Sequence, residues 1–296
     1  MIHFVYNPDI KDATLGNYML DAAKRRGVPV SWSRRGVPEG LKPSLIIKVD
    51  DGDIDAENYS KKYDCPTAWW FTDPHTDFNR GYQIAKNFDY VFCAQQPGNL
   101  ELRERGINSA WLPVGCDPVY HSSLYEKLED RPFDVGFSGS VGDSGGWNPS
   151  RPELLTEVSG RFKNSIISES TKGGNSFINN SSKVIFNQAL NNDLNMRFFE
   201  AISSGAVLVT PKLIDNGLDY LPVSDSVFFY ESKEEAMEQI KFALINIKGL
   251  NDHAEALASY YHEHHSYDSR LVSIHEHISN NSLEEDKPSE KKTTKS

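Results

Sequence analysis

Along the first 112 residues, short runs of β-branched and aromatic side chains alternate with stretches whose apolar positions recur every three or four residues. The first pattern suits strands buried on both faces and the second suits helices laid against them, so the alternation predicts a parallel sheet covered by helices. Ile2–Tyr6 reads as a strand, Thr14–Arg26 as a helix ending at Gly27, and Val28–Trp32 and Ser44–Val49 as strands. Thr67–Phe71, Tyr90–Ala94 and Ala110–Leu112 continue the strands, with helices over Arg80–Asn87 and Leu100–Arg105 between them. Pro113, Gly115 and Pro118, followed by a charged stretch through Arg131, then interrupt the rhythm as a crossing linker does.

A second cycle begins at Phe133–Ser138, a strand, with a glycine-rich loop over Gly139–Pro149 and a helix over Arg151–Arg161. Ser165–Ile167 and Ser182–Asn187 are strands, Met196–Ser204 a helix with Gly205 as its C-cap, and Val207–Thr210 and Ser226–Tyr230 strands. Helices over Lys233–Ile247 and Asp252–His264 complete it. Ser282–Ser296 is charged and carries no apolar β-branched or aromatic residue, which predicts a disordered tail. The chain of 296 residues thus divides into 1–115, 116–278 and a tail over 279–296, two doubly wound domains at about 150 residues each.

The formal charge of −11 is unevenly spread: residues 1–115 hold 14 basic and 15 acidic side chains, the remainder 17 and 27. An acidic chain gains nothing from releasing the counterions of a nucleic acid, so no nucleic-acid partner is expected. Lys24-Arg25-Arg26 and Arg34-Arg35 read either as a basic patch for an anionic acceptor or as a solvated helix end. Cys65, Cys93 and Cys116 lie far apart without CxxC spacing, which argues against a disulfide framework and a zinc site. Met1–Tyr6, followed at once by Asn7-Pro8-Asp9, is too short for a signal peptide, and no run approaches the roughly 20 apolar residues of a membrane span. The expectation is a cytoplasmic protein with no membrane span.

Candidate chemistry lies where strands end. The Gly139–Pro149 loop joins a strand to a helix, where backbone N–H groups and a helix N-terminus bind phosphate, although it is neither a Gly-x-Gly-x-x-Gly nor a Walker loop. Arg197 and Glu200, three apart on a helix, can share one face, either as a surface ion pair or as a guanidinium for a diphosphate beside a carboxylate for a ribose diol. Trp69-Trp70-Phe71-Thr72-Asp73-Pro74-His75-Thr76-Asp77 sits at the end of a strand, where open α/β sheets bind ligands. Asp73 is the first candidate for a general base and His75 the second, while Asp77 either orients His75 or caps the next helix. The indoles of Trp69 and Trp70 suit sugar stacking or core, and His262 and His265 a metal or a polar helix end.

Asn195-Met196-Arg197-Phe198-Phe199-Glu200-Ala201 with Gly205 resembles the glycosyltransferase-like domain of the spore-maturation CgeB and YkvP proteins, whose pattern is roughly Asn-x-Arg-Val-Phe-Glu-Ala-x-Ala-x-Gly before an apolar strand. Phe133–Ser140 with Arg151, Ser182–Asn187, and His265-Ser266-Tyr267 with Arg270 also look like that family, in the same order along the chain. The resemblance spans roughly residues 63–278 and is specific in the C-terminal half. It implies a GT-B fold, two Rossmann-like domains facing a cleft, with acceptor on the first and donor on the second. It also implies a metal-independent enzyme with no cofactor, moving a sugar from a nucleotide sugar, UDP-linked by preference, to a hydroxyl acceptor. Glu200 would hold the ribose, Arg197 with Gly139 and Ser140 would face the diphosphate, and Asn195 would order the turn. Related retaining enzymes carry a Glu eight residues before the ribose-binding one; here Asn192 stands there, with Asp193 beside it, which favours inversion. A non-catalytic nucleotide-sugar or glycan-binding protein of a spore-coat or envelope assembly, and a nucleotide-sugar epimerase, are the alternative functions.

Overall fold

A computed structural model describes residues 1–9, 14–50, 57–142, 150–169 and 171–285; positions 143–149 of the glycine-rich loop and 286–296 of the tail lie outside the described residues. The first domain runs β1 (Ile2–Val5), α1 (Leu15–Arg25), β2 (Val30–Ser33), β3 (Leu45–Val49), α2 (Tyr59–Lys62), β4 (Thr67–Phe71), α3 (Phe78–Ala85), β5 (Tyr90–Cys93), α4 (Gln96–Glu104) and β6 (Ser109–Trp111). Its six strands are all parallel in the order β2-β1-β3-β4-β5-β6. The second runs β7 (Phe133–Ser138), α5 (Arg151–Arg161), β8 (Ser165–Ser168), α6 (Lys172–Ser181), β9 (Ser182–Phe186), α7 (Met196–Ser203), β10 (Val207–Pro211), β11 (Val227–Tyr230), α8 (Lys233–Ile245), α9 (Ile247–His264) and α10 (Tyr267–Glu285). Its five strands are parallel in the order β11-β10-β9-β7-β8. The fold is therefore α/β, with two Rossmann-like domains.

Every residue of strands β1, β3, β4 and β5 is buried, because helices cover both faces. Trp69 and Trp70 are consequently both core residues, on opposite sides of the sheet. Trp69 stacks on Phe71 at 4.5 Å, whereas Trp70 donates its indole N–H to Leu112 O at 3.0 Å. Truncating either to Ala would cost on the order of 3–5 kcal/mol.

Three helices have no counterpart in the sequence pattern: the single turn α2, and α6 and α10. α6 contains Gly173, Gly174 and three asparagines, a composition that disfavours a helix in isolation. It forms because Thr171 caps Gly174 N–H and because Arg131 closes its other end, donating to Asn179 O and Ser182 O and also to Ser204 O at the end of α7. α10 runs through positions 279–285 and packs against the first domain, where Tyr267 stacks on Tyr18 of α1 at 5.0 Å and Arg25 binds both Asp117 and Asp268. The chain thus crosses between the sheets twice. The crossings lie side by side, Cys116 N donating to His265 O and Tyr267 N to Cys116 O, with Arg270 donating to Pro113 O and Val114 O. One apolar cluster reaches from Phe4 and Trp70 through Cys116 to Phe198, Tyr261 and Leu271, so the domains share a core. Among the described residues no helix is long and apolar enough to cross a membrane.

Candidate active site in the interdomain cleft

All strands of both sheets being parallel, their C-terminal ends gather the loops, and the two sets of loops face each other across a cavity of about 820 Å³. From the first domain come Tyr6 after β1, Asp50 after β3, Thr72 and Asp73 after β4, and Gln95 after β5. The second contributes Ser138, Gly139 and Ser140 after β7, Glu169 after β8, and the segment from Asp193 to Arg197 with Glu200. In each sheet the strand order reverses at the cavity, between β1 and β3 and between β7 and β9, which is where open α/β sheets bind ligands.

Arg197 is held at the second reversal. Its guanidinium donates to Ser138 O, where β7 ends, at 2.8 and 2.5 Å, and to Asn187 Oδ1, just past β9, at 2.8 Å. It also lies over the Phe137 ring at 4.1 Å. The surface ion pair with Glu200 is not what forms: these partners take the guanidinium instead. Gly139 has φ +145°, and a Cβ there would run into Arg197 Nη2, so the residue is glycine because the guanidinium occupies the space. Its N–H donates to Ser168 O and that of Val141 to Glu169 Oε1, so neither amide serves the phosphate cradle read from the loop. Positive charge comes from arginines instead. Arg151, the first residue of α5, binds Ser140 O and Gln188 O and lines the same cavity. Burial first and the Arg151 charge second push the Arg197 guanidinium down to about 10, still cationic at neutral pH. Two cations lining one cavity form a site suited to a multiply charged anion.

Asn195 is the N-cap of α7, accepting from Phe198 N at 3.2 Å, and donates its own amide to Asn187 Oδ1 at 3.1 Å. It therefore orders the turn. One turn on, Glu200 is buried, and its carboxyl is raised above the ordinary value by burial, against the opposing influence of the Asn175 hydrogen bond and of Arg197. Asn191 and Asn192 both have positive φ, 42° and 62°, a conformation asparagine tolerates. Asn192 faces away from the cavity, exchanging hydrogen bonds with Ile214 N and Ile214 O. The next residue, Asp193, faces into it and receives the Gln95 amide at 2.5 Å from the other domain. Burial first and the neighbouring Asp73 charge second push Asp193 up to about 8.

Asp73 is exposed within the cleft, yet the surrounding walls desolvate its carboxyl and raise it above the ordinary carboxylate value. His75, two residues on, is not among the cavity-lining residues; its Nδ1 is buried without a partner and burial lowers its proton affinity. Asp77 caps α3, accepting from Arg80 N. The structure therefore brings Asp73, Gly139, Ser140, Asn195, Arg197 and Glu200 to one cavity and leaves His75 outside it. His262 donates its Nε2–H to His121 O, and His265 Nδ1 accepts from Arg270, so neither is grouped as a metal ligand; among the described residues no cluster of three or more His, Cys, Asp or Glu is placed to hold an ion. Arg151, Asp193 and Gln95 went unassigned in the sequence. For Arg151 a signal existed, since a cation in the first turn opposes the helix dipole and calls for a reason.

Two Rossmann-like domains facing a cleft define the GT-B fold. The structure superposes on sucrose-phosphate synthase (tll1590) from Thermosynechococcus elongatus with a TM-score of 0.62 at 8% identity, over 96% of this chain and 99% of that one. It matches Anabaena Alr3699/HepE, in complex with UDP and glucose, with a TM-score of 0.61 at 12% identity over 94% and 99%. The lipopolysaccharide outer core galactosyltransferase WaaB, in its apo form, matches with a TM-score of 0.59 at 10% identity over 95% and 99%. No curated protein matches the sequence. The family model described as glycosyl transferase-like matches residues 123–276, more than half of the chain. The chain belongs to that glycosyl transferase-like family.

Proposed function

We propose that the protein transfers a sugar from a nucleoside diphosphate donor, UDP-linked, to a hydroxyl acceptor. The observation that carries this reading is the convergence of Arg197 and Glu200, one helical turn apart, on the cavity wall opposite Asp73. Glu200 would accept the ribose hydroxyls, and Arg197 with Arg151 would offset the charge that grows on the diphosphate as the glycosidic bond breaks. Gly139 and Ser140 would border the diphosphate, and Asn195 would hold the start of α7. Asp73 would take the acceptor proton while the acceptor oxygen attacks the anomeric carbon from the face opposite the diphosphate, giving inversion. Anabaena Alr3699/HepE, solved with UDP-glucose, shares the fold and is the basis for choosing UDP. The CgeB- and YkvP-like motif at 195–201 supports the donor assignments, with no cofactor and no metal required. The three cysteines are free thiols, which suits a cytoplasmic enzyme.

A panel of nucleotide sugars, with and without simple glycoside acceptors, should show nucleoside diphosphate release that EDTA leaves unchanged. Asp73→Asn should abolish release while the protein still binds UDP; normal turnover in that variant removes Asp73 as the base. Product NMR decides the stereochemistry, and a retained anomeric configuration would transfer the central role to Asp193, which also faces the cleft. The second reading, a non-catalytic binder of nucleotide sugars or glycans, predicts a Tm that rises with donor and no diphosphate release under any acceptor.

A further inference from the structure

We propose that His121 is a positioning residue for the nucleotide site: its Nε2–H holds the Glu200 carboxylate from behind and fixes the plane in which that carboxylate meets a ribose. This rests on the reading of Glu200 as the ribose-binding group. His121 lies in the connector between the sheets and is fully buried. Its Nδ1 accepts from Asp117 N–H at 3.0 Å, which leaves the ring proton of the neutral imidazole on Nε2. That Nε2 is buried with no hydrogen-bond partner, and Glu200 Oε1 stands 3.7 Å in front of it. An unmade bond of this kind is costly to leave unmade in a buried site, and it is short enough to close with a shift of under 1 Å.

The backbone that carries the ring is fixed, and the ring itself is held by Asp117 N–H and by Tyr18. His121 N donates to Asp117 O at 2.8 Å, and His121 O accepts from Ser203 Oγ at 2.7 Å and contacts His262 Nε2 at 2.8 Å. Tyr18 from the first domain packs on the ring with centroids 5.6 Å apart. On the other side of Glu200, the Asn175 amide is oriented by Asn179 Nδ2, which donates to Asn175 Oδ1 at 2.7 Å and so turns the Asn175 NH₂ group toward the carboxylate. Burial keeps the imidazole neutral, pushing it down to about 3, so His121 acts as a hydrogen-bond donor and not as a counter-ion. A neutral donor orients Glu200 without cancelling the negative charge that ribose hydroxyls donate to.

Calorimetric binding of UDP and of 2′,3′-dideoxy-UDP to the full chain tests this. Wild type should prefer UDP by tenfold or more. His121→Asn, which keeps an acceptor for Asp117 N–H but loses the distal donor, should reduce that preference to about twofold by weakening UDP alone, and His121→Gln, with an amide where Nε2–H lies, should restore it. Equal weakening of both ligands, or an unchanged preference, overturns the proposal. Independently of any variant, the His121 Nε2 proton in ¹⁵N-histidine-labelled wild type should move downfield with UDP and stay in place with the dideoxy analogue; an unmoved resonance also overturns it. A wild type that binds both nucleotides equally overturns the Glu200 assignment itself, a different result from either of these.

Discussion

Gly139 and Arg197 compete for one volume: the space that a side chain at 139 would fill is taken by the Arg197 guanidinium. The arginine reaches this place through Ser138 O and Asn187 Oδ1, so the geometry of the proposed diphosphate end depends on a glycine whose missing side chain leaves room for the guanidinium. Gly139→Ala should add both a strained φ and a collision. Donor KM is expected to rise about tenfold or more, equivalent to roughly 1.4 kcal/mol, while kcat changes less; a KM within twofold of wild type would show that Arg197 has other room.

Arg197→Lys keeps the charge and loses the planar fork. A single ammonium cannot bind Ser138 O and Asn187 Oδ1 together and still face the cavity. The expected fall in kcat/KM is about 100-fold, on the order of 2.7 kcal/mol of transition-state stabilisation. Steady-state kinetics with the best donor measures it, and retention of full activity would show that Arg151 alone suffices.

Glu200→Gln separates binding from folding. In the folded protein the carboxyl lies above its unfolded value, chiefly through burial, so the charged form costs stability once the pH exceeds the unfolded value near 4.3. Wild-type stability should therefore decline as pH rises from there through the folded value, and the glutamine variant should show no such decline. Urea unfolding at about pH 8 should find Glu200→Gln the more stable protein, with the difference vanishing at about pH 4, even though UDP affinity drops about tenfold or more.

Asp193 makes the cleft sensitive to alkali. Its carboxyl is pushed up to about 8, so above that pH a second negative charge should stand beside Asp73 in the cavity proposed to receive a diphosphate. UDP affinity should fall above that pH, and Asp193→Asn should bind UDP with the same affinity on both sides of it. Calorimetry between about pH 6 and 9.5 checks both; a wild-type affinity flat across that range would mean that Asp193 does not change its protonation state there.

The cavity wall formed by α7 was legible in the sequence because its parts are local. Arg197, Glu200 and the capping Asn195 lie within six residues of one another, and helical geometry alone places the first two on one face. Asp73 was legible from its position at the end of an apolar run. Asp193 was not, because nothing local distinguishes it from Asn192; two successive left-handed asparagines and the grip of Ile214 on Asn192 decide which side chain turns inward. His75 lies outside the cavity-lining residues for the same reason, since a turn through Pro74 sets its direction independently of the strand's alternation.

What the sequence determined by itself is periodic or contiguous: two runs of parallel strands with their helices, the linker between them, and a helix carrying an arginine and a carboxylate. What only the tertiary structure decided is everything whose stabilising partners are far along the chain. α6 exists because Arg131 and the sheet complete a helix that its glycines and asparagines disfavour, and α10 returns to the first domain because Tyr267 and Asp268 find Tyr18 and Arg25 there. His121 faces Glu200 across 79 residues of chain for the same reason, as burial and long-range packing set its orientation where local propensity has nothing to say.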